Sequence, residues 1–138
     1  MLDLIATNPE NNTIVVYLQD EKDGIREGAS SPTISDVSSL TVSDLDGDNI
    51  DELYVLSEEE GILGYSPLSS STLDFPTPIQ IKKGHTPVSV TALHGVDGDK
   101  LIVISKEKRN YLIEVIGNDG AVNEIELGSL SRLSLIHI

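Results

Sequence analysis

Five acidic side chains crowd nine consecutive residues, Asp44-Leu45-Asp46-Gly47-Asp48-Asn49-Ile50-Asp51-Glu52. Like charges that close repel one another unless water or a cation separates them. Alternation at 44, 46 and 48 lets a turning loop aim successive carboxylates inward. Gly47 and Asn49 tolerate the left-handed or tight backbone conformations that such a wrap requires. Hard oxygen donors in this number suit Ca²⁺, which takes six to eight oxygens in a flexible shell. The reading is a metal loop running into a short apolar strand, Leu53-Tyr54-Val55-Leu56. The plain alternative is a solvated acidic turn. A lone Asp-x-Asp would favour that turn, but Asp-x-Asp-Gly-Asp-x-x-Asp-Glu directly ahead of a strand favours the metal.

The EF-hand, the other common acidic calcium loop, does not fit. It needs glycine at loop position 6 and a bidentate Glu at position 12, and counting from Asp44 these fall on Asn49 and Val55. Nor does a helix follow, since the apolar run contains a β-branched and an aromatic residue. Catalytic chemistry finds little support elsewhere. His85, His94 and His137 have no zinc-site spacing, and the Gly-His-Thr-Pro setting of His85 reads as a surface turn. No Gly-x-Ser-x-Gly elbow occurs and no glycine-rich phosphate cradle. Glu58-Glu59-Glu60 reads as a solvated hairpin tip.

The elements that hold the loop are legible as repeats. Three apolar strands begin at Asp3, Glu52 and Lys100, offsets of 49 and 48 residues. They are Asp3-Leu4-Ile5-Ala6-Thr7-Asn8, Glu52-Leu53-Tyr54-Val55-Leu56-Ser57 and Lys100-Leu101-Ile102-Val103-Ile104-Ser105. Each leads through a polar turn to a second strand, at Thr13–Leu18, Ile62–Tyr65 and Tyr111–Ile116. Upstream, Leu40-Thr41-Val42 and Val88-Ser89-Val90 correspond at the same offset. Pro78–Ile81 and Asn123–Leu127 read as closing edge strands, and the Ser-, Pro- and Thr-rich stretches 28–39 and 66–78 as loops. The unit is therefore about four short strands joined by hairpins, with a period near that of propeller blades. The expected fold is all-β, consecutive four-stranded antiparallel blades of a β-propeller with an incomplete ring. The corresponding spans are 1–35 for a partial first blade, 36–82 for a central blade carrying the loop, and 83–132 for a third.

In that third blade the loop is degenerate. Asp44, Asp46, Asp48 and Glu52 become Ala92, His94, Val96 and Lys100, with only Gly95 kept opposite Gly47. No metal is expected there. Lys100, standing where Glu52 stands, is expected to replace the missing ion by pairing with Asp97 or Asp99, a weak contribution of ~0–1 kcal/mol if exposed.

Length and composition bound the rest. At 138 residues one domain is expected, and the net charge of −14 with a single Phe, no Trp and no Cys argues against nucleic-acid partners, which need clustered Lys and Arg. Disulfides and thiolate zinc sites are ruled out. No stretch is long and apolar enough to span a bilayer as a helix, and the N-terminus lacks the basic and apolar segments of a signal peptide.

Residues 44–57 resemble the calcium loop and strand of the FG-GAP repeat, which builds the blades of integrin alpha-chain propellers and of bacterial VCBS-repeat proteins. The Phe-Gly…Gly-Ala-Pro signature itself is absent, which favours the bacterial branch. The resemblance implies side-chain ligands from Asp44, Asp46, Asp48 and Glu52 and a backbone ligand from the Ile50 carbonyl. Glu52 stands where the family often has Asp, a longer arm with the same chemistry. Asp51 faces away or backs the ligands from outside. The implied protein is a calcium-binding propeller segment that serves as a structural, adhesive or ligand-binding scaffold of a larger extracytoplasmic or secreted bacterial protein. Its implied partners are the remaining blades of the same chain and a protein or carbohydrate ligand. The rival is a propeller-type carbohydrate-active enzyme, such as a polysaccharide lyase, with its catalytic residues outside these blades. Two to three blades cannot close a ring, so a longer natural chain is expected. Residues 133–138, Leu-Ser-Leu-Ile-His-Ile, read as the translated end of a sequencing-library adaptor; an ordinary terminal strand is the alternative.

Overall fold

The computed structural model describes residues 3–69 and 72–129. The adaptor-like segment 133–138 therefore lies outside the described residues, as do the last residues of the span 83–132. Among the described residues there is no helix, and hence none long and apolar enough to cross a membrane. The described residues form eleven strands in three antiparallel sheets. The first sheet contains β1 (Leu4–Asn8), β2 (Thr13–Asp20) and β3 (Gly24–Pro32). The second contains β4 (Ser39–Ser43), β5 (Glu52–Ser57), β6 (Ile62–Pro67) and β7 (Thr77–Pro78). The third contains β8 (Thr86–Leu93), β9 (Lys100–Glu107), β10 (Asn110–Ile116) and β11 (Val122–Ser129). In every sheet spatial order follows chain order, as expected when short hairpins join neighbouring strands.

Strand β5 is the centre of the molecule. Successive side chains of a strand point to opposite faces, and here both faces are covered, so all six residues are buried. Leu53 and Val55 enter one apolar cluster with Ile14, Val16, Ile34 and Leu73, which joins the first sheet to the second. Tyr54 and Leu56 enter another with Leu63, Val90, Leu101 and Val103, which joins the second sheet to the third. A strand buried on both faces reads as a continuous apolar run, which is why Leu-Tyr-Val-Leu shows no alternation. The repeat offset carries the burial pattern too: Leu101 and Val103, 48 residues after Leu53 and Val55, are likewise fully buried.

The seam between the second and third sheets is also stitched by hydroxyls on alternate residues of β4. Ser39 Oγ donates to the Val90 carbonyl (3.2 Å) and accepts from the Val90 amide (3.3 Å). Thr41 Oγ1 accepts from the Ala92 amide at 3.1 Å, and Ser43 Oγ donates to Asp99 Oδ2 at 2.8 Å. From Ser39–Val90 to Thr41–Ala92 the partners advance in step along both strands, so β4 and β8 lie side by side and run in the same direction.

Two loop assignments need correction. Residues 28–32 belong to β3 rather than to a loop. Their Gly-Ala-Ser-Ser-Pro sequence carries no alternation, and the pairing comes instead from β2, with a register shift between Val15 and Tyr17. Gly28 sits at that shift, where a Cβ would fall 2.4 Å from the Val16 carbonyl oxygen; only glycine fits so close an approach. Conversely, the closing strand of the second sheet is Thr77–Pro78 alone rather than 78–81. Pro78 has no N–H to give the ladder, and the Ile79 amide beyond it makes a single further bond to β6, on the Leu63 carbonyl at 2.8 Å. Ile79 and Ile81 instead pack against the second apolar cluster.

Candidate metal centre

Between the end of β4 and the start of β5 the chain turns through residues 44–51, and the carboxylates themselves build the turn. Asp44 Oδ1 accepts from the amides of Gly47 (2.9 Å) and Asp48 (3.1 Å), and its Oδ2 from the Asn49 amide (3.0 Å). Asp46 Oδ1 accepts from the Asp48 amide at 3.0 Å, and Asp48 Oδ1 from the Ile50 amide at 2.8 Å. Such Asx-type bonds offer the backbone an alternative to strand pairing and hold it in a tight wrap. Gly47 and Asn49 adopt φ of 76° and 68°, in the left-handed region where glycine and asparagine are least penalised.

The wrap brings one oxygen from each of Asp44, Asp46, Asp48 and Glu52 within 4.8 Å of all the others. Ile50 is held in the same loop by its amide on Asp48 Oδ1. Asp51 is exposed and is not one of the four; its carbonyl accepts from the Leu68 amide at 2.8 Å. Glu52 is the inner wall, only 6% exposed. Its Oε2 accepts from the Leu45 amide (3.2 Å) and from the Tyr54 hydroxyl (3.4 Å). Burial raises the Glu52 pKa and the Leu45 hydrogen bond opposes it, while the charges of Asp46, Asp48 and Asp44 push it further up. Tyr54 is raised as well, by burial first and then by the Glu52 charge and hydrogen bond. The site thus carries crowded negative charge that a bound cation would neutralise. Its donor set is all oxygen and mostly carboxylate, which fits a hard divalent cation.

Asp46, Asp48 and Glu52 also line a cleft of about 540 Å³. Its other walls include Leu45, Ile50, Ile79 and the tyrosine pair Tyr54–Tyr65, whose rings are 6.3 Å apart and tilted by 34°.

The corresponding loop of the third sheet is built differently. Ala92 ends up half-buried in β8, Val96 is fully exposed, and Lys100 is exposed at the head of β9. Among the described residues Lys100 makes no ion pair with Asp97 or Asp99, so it does not replace an ion. Asp99 turns inward instead. Its Oδ2 takes the Ser43 hydroxyl, the Asp44 amide at 3.2 Å and a contact with His94 Nδ1 at 3.0 Å. Burial alone would raise the Asp99 pKa, but the hydrogen bonds from Ser43 and His94, the His94 charge and the Asp44 amide together hold it below the usual carboxylate range. Two acidic residues left in a degenerate loop give no sequence signal for that role.

His85 is not at the surface. Its side chain is 10% exposed, with Nδ1 3.4 Å from Ser105 Oγ and Nε2 3.8 Å from Glu107 Oε2. The line Ser–His–Glu has the order of a hydrolytic triad, but Ser105 is fully buried and its oxygen is closed to a substrate.

Compared with models of known protein families and with curated proteins, the chain matches none.

Proposed function

We propose that the chain is a calcium-binding segment of an FG-GAP/VCBS-like β-propeller, each sheet forming one blade. It acts as a structural, adhesive or ligand-binding scaffold within a larger extracytoplasmic protein. The observation that carries this reading is the convergence of Asp44, Asp46, Asp48 and Glu52 in a loop between two strands of one sheet. An oxygen shell at about 2.3–2.6 Å from a Ca²⁺ ion measures roughly 5 Å across, which accommodates the 4.8 Å spread of the four donors. The Ile50 carbonyl and water would complete the shell. Stacked meanders with β4 and β8 side by side support the blade reading, and the −14 net charge suits cations and cationic partners. A bound ion would remove the repulsion around Glu52 and tie the end of β4 to the start of β5. The cleft beside the ion gives a protein or carbohydrate ligand a place to sit. The extracytoplasmic setting rests on the resemblance and on the millimolar calcium sites of extracellular modules.

Isothermal titration calorimetry tests the reading. The wild-type chain should bind one Ca²⁺, Mg²⁺ should compete poorly because it demands a smaller octahedral shell, and Asp46→Ala should abolish the site. Unchanged Ca²⁺ binding in Asp46→Ala would refute the assignment.

A further inference from the structure

The metal loop is held almost wholly by its own amides and carboxylates, with one described hydrogen bond from another sheet to residues 44–50. That bond is the Asp44 amide donating to Asp99 Oδ2 at 3.2 Å, across 55 positions of sequence. The same oxygen accepts from Ser43 Oγ at 2.8 Å, and Ser43 is fully buried at the end of β4. Asp99 thereby fixes the last residue of the strand and the first residue of the loop together. Asp44 is the residue whose two carboxylate oxygens gather the amides of Gly47, Asp48 and Asn49. A shift of its backbone would move both oxygens and the turn they organise. The exposed His94 places its Nδ1 3.0 Å from the same Asp99 Oδ2.

We propose that Asp99, contributed by the third sheet, is a positioning residue for the metal loop of the second, so that cation binding and the docking of the third sheet are linked. The inference rests on the calcium reading above. Groups that orient metal ligands from outside the shell commonly change affinity by about 10–100-fold when removed. Linkage is reciprocal: whatever Asp99 contributes to binding, the ion returns to the seam that Asp99 closes.

The test compares Ca²⁺ affinity with metal-free thermal stability in four forms of the 138-residue chain. These are wild type, Asp99→Ala, Asp99→Asn and Thr41→Val. Thr41→Val cuts a hydroxyl stitch of the same seam away from the loop and reports a merely structural role. Asp99→Ala should weaken Ca²⁺ binding about tenfold or more. Asp99→Asn, which keeps an acceptor oxygen for Ser43 and Asp44, should recover affinity to within about threefold of wild type. Thr41→Val should lower the metal-free Tm while leaving affinity unchanged. Equal affinity in Asp99→Ala and wild type overturns the inference, as does a Thr41→Val loss as large as that of Asp99→Ala.

Hydrogen exchange on the wild-type chain keeps the question open to test should Asp99→Ala fail to fold. Added Ca²⁺ should slow exchange in residues 94–99 as well as in 44–52; slowing confined to 44–52 overturns the linkage. A wild-type chain that binds no Ca²⁺ removes the calcium reading itself, and the linkage with it.

Discussion

Glu52 sits under two opposed demands, one from the fold and one from the cation proposed for its loop. Buried and faced by three aspartates, its carboxyl holds a proton more tightly in the folded chain than in the unfolded one. By linkage, folding that takes up a proton is favoured at low pH. Without metal, the contribution of Glu52 is therefore most favourable below the ordinary glutamate value of 4.5. It turns unfavourable as pH rises through the higher folded value. A divalent ion bound there would cancel the penalty by favouring the charged form. In chelator, Glu52→Gln should raise Tm at pH 7 and leave it nearly unchanged at pH 4, where the wild-type residue is already protonated. With excess Ca²⁺ the order at pH 7 should reverse, since the amide is a weaker ligand. Equal metal-free Tm values at pH 7 would show that charge on Glu52 carries no penalty. The sequence announced this carboxylate by its place after the alternating aspartates. It did not announce Asp99, because the contact that makes Asp99 useful depends on how two sheets dock. The same holds for His85: its Gly-His-Thr-Pro neighbours describe a turn, and only the neighbouring β9 supplies Ser105 and Glu107 around the ring.

At the scale of elements, β5 does the most to join the sheets, because both of its faces are interfaces. Leu56 is fully buried between the second and third sheets, whereas Leu4 in the first sheet is 54% exposed. Truncating a buried leucine to alanine costs about 2–5 kcal/mol through lost transfer energy and the cavity left behind, while an exposed one costs far less. Urea titration should therefore show Leu56→Ala destabilised by about 2–5 kcal/mol and Leu4→Ala by less than about 1 kcal/mol. Similar midpoints for the two would mean that the interface between the sheets is not tightly packed. Strands of this kind were readable because fully buried apolar runs and hairpin turns are local signals. Strand β3 was not, since its polar Gly-Ala-Ser-Ser segment is recruited by a neighbour and by the space that only Gly28 leaves. Nor was the early end of β7, because Ile79 and Ile81 are drawn into the second apolar cluster rather than extending the ladder.

For the whole molecule, protection from solvent should follow the stacking order. The second sheet is covered on both faces, and the first and third each give one face to it. Amides of β5 are paired with β4 and β6 in the sheet covered on both faces, so they should exchange slowest under native conditions; those of β3 and β11, at the margins of their sheets, should exchange fastest. Uniform exchange rates across all three sheets would show that the molecule opens as one unit. The ordering of strands within the second and third sheets followed from repeats and hairpins in the sequence. Which faces meet did not, because apolar residues in a strand declare that a face is covered without declaring by what.

The hydroxyl seam has a mechanical consequence. Ser39 and Thr41 grip β8, and Ser43 grips Asp99 just ahead of β9, at alternate steps along β4, so sliding the third sheet by one residue along β4 would break all three attachments together. A force drawing the two sheets past one another along the strands meets these bonds in parallel. A force peeling a hairpin meets its bonds one after another. The molecule is accordingly stiff against shear at this seam and yields by peeling from its margins, and the acidic loop lies at the end of the track where Ser43 makes the last attachment.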